Sequence, residues 1–206
     1  MSDLNERDAK LVQYLNEAYG KEKQLETDLE AHIAVTDRPP YKKRLKQHLQ
    51  ETKRHAREVE RRIKKLGGDA GSPVQAATTV ASKGKAVARG PLHMVRGTSE
   101  QELLLKNAQT EYSEEHHEIA TYTTIEALAE SVGDKDTAKI ARGIRREEEK
   151  MARYLERLIP QLTRAVARDE IPSAQRNGSS GSRRRRRSRS SSGSRSGARR
   201  KASSKR

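Results

Sequence analysis

Apolar residues recur at spacings of three and four in four separate stretches of this 206-residue chain, the pattern of helices that bury one face. The first stretch carries Leu4, Leu11, Leu15, Ala18, Leu25, Leu29 and Ile33, with Glu22 on the same stripe. It should end near Asp37, because Pro39 and Pro40 cannot continue a helix. A second runs Tyr41, Leu45, Leu49, Thr52, Ala56, Val59, Ile63 and Leu66 to a stop at Gly67 and Gly68. The third opens at Thr98 or Ser99, either of which can cap it, with Gln101 or Glu102 three residues on. It continues through Leu104, Ala108, Tyr112, Glu115, Ile119, Tyr122 and Ala129 to Gly133. The fourth starts near Asp134 or Asp136 and runs Ala141, Ile144, Glu148, Met151, Leu155, Ile159, Leu162 and Val166. Pro160 lies inside it and predicts a kink or an early end.

Tight turns after the first and third stretches make two antiparallel helical hairpins. Residues 67–97 form a connection of about 30 residues, too long for an ordinary loop in a compact domain. One class of four-helix bundle needs such a crossover between its second and third helices. Residues 74–88 offer a short helix within it. The predicted fold is all-α, with residues 1–168 as the bundle and 169–206 as a tail of different character.

Composition narrows the core and the chemistry. With no Phe and no Trp, and 3% aromatic residues, the core must be built from Leu, Ile, Val, Ala and Tyr, which suits helix-on-helix packing better than a sheet sandwich. The lack of cysteine rules out disulfides, thiolate metal sites and thiol catalysis. No apolar run approaches the roughly 20 residues that cross a bilayer, and Met1-Ser2-Asp3-Leu4-Asn5-Glu6 lacks a signal-peptide pattern. A cytoplasmic protein with no membrane association is expected. Nothing in the chain resembles a nucleophile triad, a phosphate-binding glycine loop or a zinc motif.

Several acids fall where leucine is expected. Glu22 continues the first stripe, Glu115 sits between Tyr112 and Ile119, and Glu148 lies between Ile144 and Met151. On the second helix His48 and His55 flank the stripe and Glu51 lies toward its edge; Glu118 is at the edge of the third. Measured from the two turns, these groups lie within about one helical turn of a common level, at about 1.5 Å rise per residue. A lone glutamate on an apolar stripe ordinarily snorkels to water or pairs with a base. Carboxylates gathered at one buried level repel one another unless a cation sits among them, and iron or manganese accepts such oxygen and imidazole donors. His116 and His117 are close in sequence to this level, whereas His32 and His93 have no such company and should be solvated.

Four segments also carry a family resemblance: Tyr19-Gly20-Lys21-Glu22-Lys23-Gln24-Leu25, His48-Leu49-Gln50-Glu51-Thr52, Glu115-His116-His117-Glu118-Ile119-Ala120-Thr121-Tyr122 and Glu147-Glu148-Glu149-Lys150. In this order they resemble the YciE/YciF group of bacterial ferritin-like stress proteins, over residues of about 8 to 165 apart from the long connection. The resemblance implies a ferritin-like four-helix bundle, a homodimer and a di-iron or di-manganese centre. Carried over residue by residue, Glu22, Glu51, Glu115, Glu118 and Glu148 are the ligand positions, with His48 and His55 on the second helix. The chain departs from ferritin-like sites in that none of these five glutamates begins a Glu-x-x-His pair, and Arg153 stands where the family often has an acid.

The net charge of +15 is concentrated at one end. Residues 172–206 hold 11 Arg, 2 Lys and no acid, leaving 31 basic and 29 acidic residues elsewhere. No apolar residue larger than alanine follows Pro172, so this segment is expected to be disordered. Arg183, Arg184, Arg185, Arg186, Arg187, Arg189, Arg195, Arg199, Arg200 and Lys201 suit sequence-independent binding to the phosphates of nucleic acid, which implies nucleoid association. With no aromatic residues interleaved, stacking on single-stranded bases is not supported. Three functions remain in competition: a di-metal protein handling iron or reactive oxygen, docked through its tail; a non-catalytic, dimerising, nucleoid-associated bundle without metal; and an adaptor that binds an acidic protein partner.

Overall fold

The computed structural model describes residues 4–71 and 99–176. Helices α1 (Glu6–Val35), α2 (Pro39–Lys65), α3 (Glu100–Ser131) and α4 (Lys135–Glu170) carry the fold, followed by a single turn, α5 (Ser173–Arg176). The chain divides into two units, Met1–Val166 and Ala167–Arg206, the first of which is the bundle. In the second, helix persists to Glu170 and resumes at Ser173, past the expected boundary at 168. The predicted helix over 74–88, His93 and the arginine run lie outside the described residues.

Local chemistry explains each helix end. Asn5 caps α1 by accepting from the Asp8 amide at 2.8 Å, and Ser99 caps α3 by accepting from the Glu102 amide at 3.2 Å. Pro39 and Pro40 open α2 at positions where no helical N–H is needed. Gly67 and Gly133, at φ +87° and +73°, turn the chain out of α2 and α3. The amide after each reaches back five residues, Gly68 to the Ile63 carbonyl at 3.0 Å and Asp134 to the Ala129 carbonyl at 2.8 Å, closing Schellman motifs. Pro160 does not end α4. Its ring faces solvent, where water can serve the Glu156 carbonyl it leaves unpaired, while Leu158 and Leu162 on either side are buried in the core.

The core is layered along the bundle. At one end Leu25, Leu29, Tyr41, Leu45, Leu104, Ala108, Leu155 and Leu162 pack together, so the end of α1, the start of α2, the start of α3 and the end of α4 meet there. At the other end Leu15, Val59, Ile63, Tyr122, Ile125, Ala141 and Ile144 come from the opposite halves of the same helices. Helix α3 therefore runs parallel to α2, and the chain between them must join opposite ends of the bundle. That is why a long connection is needed. Asp134 secures the second end: it accepts from the Thr137 amide at 3.0 Å and from Arg62 on α2 at 2.5 Å, and lies 3.8 Å from Arg7 on α1.

Candidate metal centre

Between the two apolar layers lies a polar one. Helix α1 brings Glu22 to it, α2 brings His48, Thr52 and His55, α3 brings Glu115 and Glu118, and α4 brings Glu148. Glu118 is 1% exposed and the other six are 0% exposed. Each occupies a position on its helix's inward seam, so burial follows from helix packing rather than from any special loop.

The donors fall into two sets that share one residue. Glu22, His55 and Glu148 form the first; His48, Glu115 and Glu148 form the second; within each, the ligand atoms lie within 4.8 Å of one another. Glu148 presents one oxygen to each histidine: Oε1 is 2.8 Å from His55 Nδ1 and Oε2 is 3.8 Å from His48 Nε2. His48 Nε2 also meets Glu115 Oε1 at 2.9 Å, and Glu22 Oε1 is 3.6 Å from His55 Nδ1. Glu118 Oε1 and Oε2, Glu148 Oε2, Glu22 Oε2 and Glu115 Oε2 are all buried without a hydrogen bond, and the 2.8 Å approach of Glu148 Oε1 to His55 Nδ1 lacks good hydrogen-bond geometry. An unsatisfied buried polar group costs about 1–3 kcal/mol, more when charged. So many at one level do not describe a self-contained hydrogen-bond network. They describe donors gathered at one buried level.

The outward nitrogen of each histidine is tied to a further carboxylate. His48 Nδ1 faces Glu51 Oε2 at 3.4 Å, and Glu51 is held by Arg44 at 2.9 Å. His55 Nε2 faces Glu147 Oε2 at 2.9 Å, and Glu147 is in turn paired with Arg54. Such ties fix ring orientation and tautomer at metal sites. Tyr122 does the same for the acid on α1, donating to Glu22 Oε1 at 2.5 Å. Glu147→Gln should leave the central donors in place yet weaken divalent-cation affinity by roughly 10- to 100-fold, as read by calorimetric titration; unchanged affinity would remove Glu147 from this role.

Electrostatics follow from burial and crowding. Burial pushes Glu22 up, with Glu148 adding to it, against the opposing pull of His55. Burial likewise raises Glu115 to about 8 despite His48. Glu118 is driven well above the carboxylate range by burial and then by Glu22, Glu148 and Glu115. Glu148 goes the other way: burial opposes its charge, but the two histidines outweigh it. Burial also disfavours charge on the imidazoles, yet Glu115 carries His48 well above its usual value, and Glu148 and Glu22 lift His55 to about 10. Glu51, outside the cluster, resists the effect of burial through His48 and Arg44 and is held down to about 2.

The structure brings Glu22, His48, His55, Glu115 and Glu148 from the sequence-derived set into the two donor sets; Glu118 is buried at the same level and Glu51 touches His48, both outside those sets. His48 and His55 belong to the seam of α2 instead of flanking it, and Glu118 to the seam of α3 instead of its edge. His116 and His117 are exposed on α3 and face away from the centre. His32 is not simply solvated: it contacts the buried Glu111, a residue the sequence pattern did not single out. Glu147 was visible only as part of a motif, and nothing in the sequence distinguished its role from that of Glu149.

The family model for a domain of unknown function, DUF892, matches residues 6–168. The chain belongs to this family. Among solved structures, it is similar to a protein from Xanthomonas campestris pv. campestris, at 26% identity over 81% of this chain and 100% of that one, with a TM-score of 0.65. It is also similar to the E. coli stress protein YciF, at 21% identity over 78% and 98% of the two chains, TM-score 0.63. A third, Desulfovibrio desulfuricans bacterioferritin, described with its diiron site in different catalytic states, matches at 20% identity over 82% and 91%, TM-score 0.59. These likenesses establish a ferritin-like helical bundle, as the sequence pattern and the YciE/YciF resemblance predict. The DUF892 span contains every donor of the polar layer, whereas the arginine run lies beyond it. Among the described residues, no helix is long and apolar enough to cross a membrane.

Proposed function

We propose that this DUF892 protein is a ferritin-like stress protein whose polar layer holds two divalent ions, iron or manganese, used in handling iron or reactive oxygen. The observation that carries this reading is Glu148, one carboxylate shared between two buried three-donor sets. Charge supports it: Glu22, Glu115, Glu118 and Glu148 bring four negative charges when ionised, which two divalent cations balance with both histidines neutral. The donor set is oxygen and imidazole without sulfur, which suits iron and manganese. Glu22 and His55 would hold one ion, Glu115 and His48 the other, with Glu148 common to both and Glu118 available to either. Bound there, a redox-active pair supplies electron exchange with dioxygen or peroxide. The chain's own contribution is to fix the rings through Glu51 and Glu147, to orient Glu22 through Tyr122, and to exclude bulk water with an apolar layer on either side. The diiron site of the bacterioferritin of similar fold is consistent with this reading.

The test is metal analysis of the full chain after anaerobic loading with Fe(II) or Mn(II) and desalting. About two ions per chain are expected. No retained metal would overturn the reading and leave the metal-free, dimerising bundle in its place.

A second reading concerns the other end of the chain and rests on its charge. Thirteen basic residues and no acid from Pro172 onward suit sequence-independent attraction to nucleic acid through counterion release, with the protein acting as a cytoplasmic, nucleoid-associated homodimer. Removal of residues 177–206 should then abolish retention on duplex DNA, and the intact chain should release DNA steeply as salt rises. Retention that survives truncation would defeat it.

A further inference from the structure

The polar layer does not stop at the two donor sets. One turn before Glu115 on α3, Glu111 is 1% exposed. Its Oε1 contacts His32 Nδ1 on α1, while its Oε2 is buried with no hydrogen-bond partner. His32 is the member that reaches outward, with its side chain 18% exposed, and half-buried Asp28 lies one turn before it on the same helix. Across from them, the Tyr41 hydroxyl on α2 is also fully buried and unpaired, and it senses both Glu111 and Glu115. Glu111, Glu115 and Glu118 follow one another along the inner face of α3 at about one turn each. A line of carboxylates therefore runs from a partly solvated histidine to the centre.

We propose that His32 and Glu111 form a staging site at which a divalent cation is taken up at the α1–α3 edge before passing to the centre. The inference rests on the two-ion reading above. A plain ion pair accounts for Glu111 Oε1 but leaves Oε2 and the Tyr41 hydroxyl buried and unsatisfied, at a cost that protein interiors rarely carry. An imidazole nitrogen and a carboxylate are donors that Fe(II), Mn(II) and Co(II) all accept. Two protein donors, with water completing the shell, hold such an ion weakly. Weak holding is what a transit site requires, since the ion must leave it again.

The full-length protein, its Glu111→Gln variant and its His32→Gln variant would be mixed with Co(II), whose visible absorption reports its ligands. Wild type should bind two equivalents tightly and a further one weakly. Both variants should keep the two tight equivalents at unchanged affinity, lose the weak one, and load about tenfold more slowly. Because His32 is partly exposed, its variant keeps the test valid should Glu111→Gln lose its fold. Loading at the wild-type rate with the weak equivalent retained would overturn the staging site and leave the centre standing. Loss of a tight equivalent in the variants would overturn it too, by making these residues part of the centre. No Co(II) bound by wild type would overturn the centre and the staging site together.

Discussion

Glu148→Ala is expected to abolish binding of both ions, not one. Glu22 and His55 lie on one side of this carboxylate and His48 and Glu115 on the other, and each set reaches three donors only by including it. The loss should exceed about a thousandfold in apparent affinity, since a shared donor is removed from both halves at once. Glu22→Ala and Glu115→Ala should each impair one half more than the other. Titration with Mn(II) or Co(II), followed by metal analysis, reads the difference directly. If Glu148→Ala still retains one tight ion, the two sets do not share a ligand and the arrangement is two separate sites.

The second large effect is on pH. Without a cation, the cluster stays close to neutral by holding protons: His55 is raised to about 10, Glu115 to about 8, and His48, Glu118 and Glu22 are shifted upward as well. Glu148 alone is shifted down and is already ionised. Bound ions need neutral imidazoles and ionised carboxylates, so binding must expel protons, up to about five per chain, one from each raised group. Each raised group is protonated below its pKa in the metal-free protein. Apparent affinity therefore rises with pH through the neutral range and keeps rising until the pH passes His55. A fall of more than about a hundredfold between pH 8 and pH 6 is expected, with proton release measurable by calorimetry in buffers of differing ionisation enthalpy. Affinity that is flat across this range would contradict the protonation pattern.

How far the sequence carried the structure depends on the helix. On α1, residues 11, 15, 18, 22, 25 and 29 are buried, an alternation of four and three that the leucines reveal and that places Glu22 without ambiguity. On α4 the buried residues 141, 144, 148, 151, 155 and 158 keep the same rhythm, so Glu148 was equally legible. On α3 the inward line is 104, 108, 111, 115, 118, 122, 125 and 129. Three of those positions are glutamates, and Tyr112 and Ile119 beside them drew the apolar stripe one residue off the true seam. That is why Glu118 looked marginal and Glu111 was missed. The spacing alone held the signal; hydrophobicity masked it. On α2, His48 and His55 occupy the seam with Thr52 between them, and imidazole is too ambiguous in polarity for a pattern to assign it inward. Glu51 owed its place in the expected set to the family resemblance and its histidine neighbours, and in the structure it contacts His48 from outside both donor sets.

The layered core also bears on how this chain finds one structure. Leucine seams of constant spacing tolerate sliding, because a helix displaced by one heptad presents much the same surface to its neighbours. Here a slide of α4 by seven residues would carry Glu148 to the level now filled by Leu155 or Ala141, and leave His48 and His55 facing apolar side chains. Burying an unmatched charge costs several kcal/mol. The polar layer thus makes every misaligned packing of the four helices expensive, so the buried carboxylates and histidines also fix the register in which the bundle assembles.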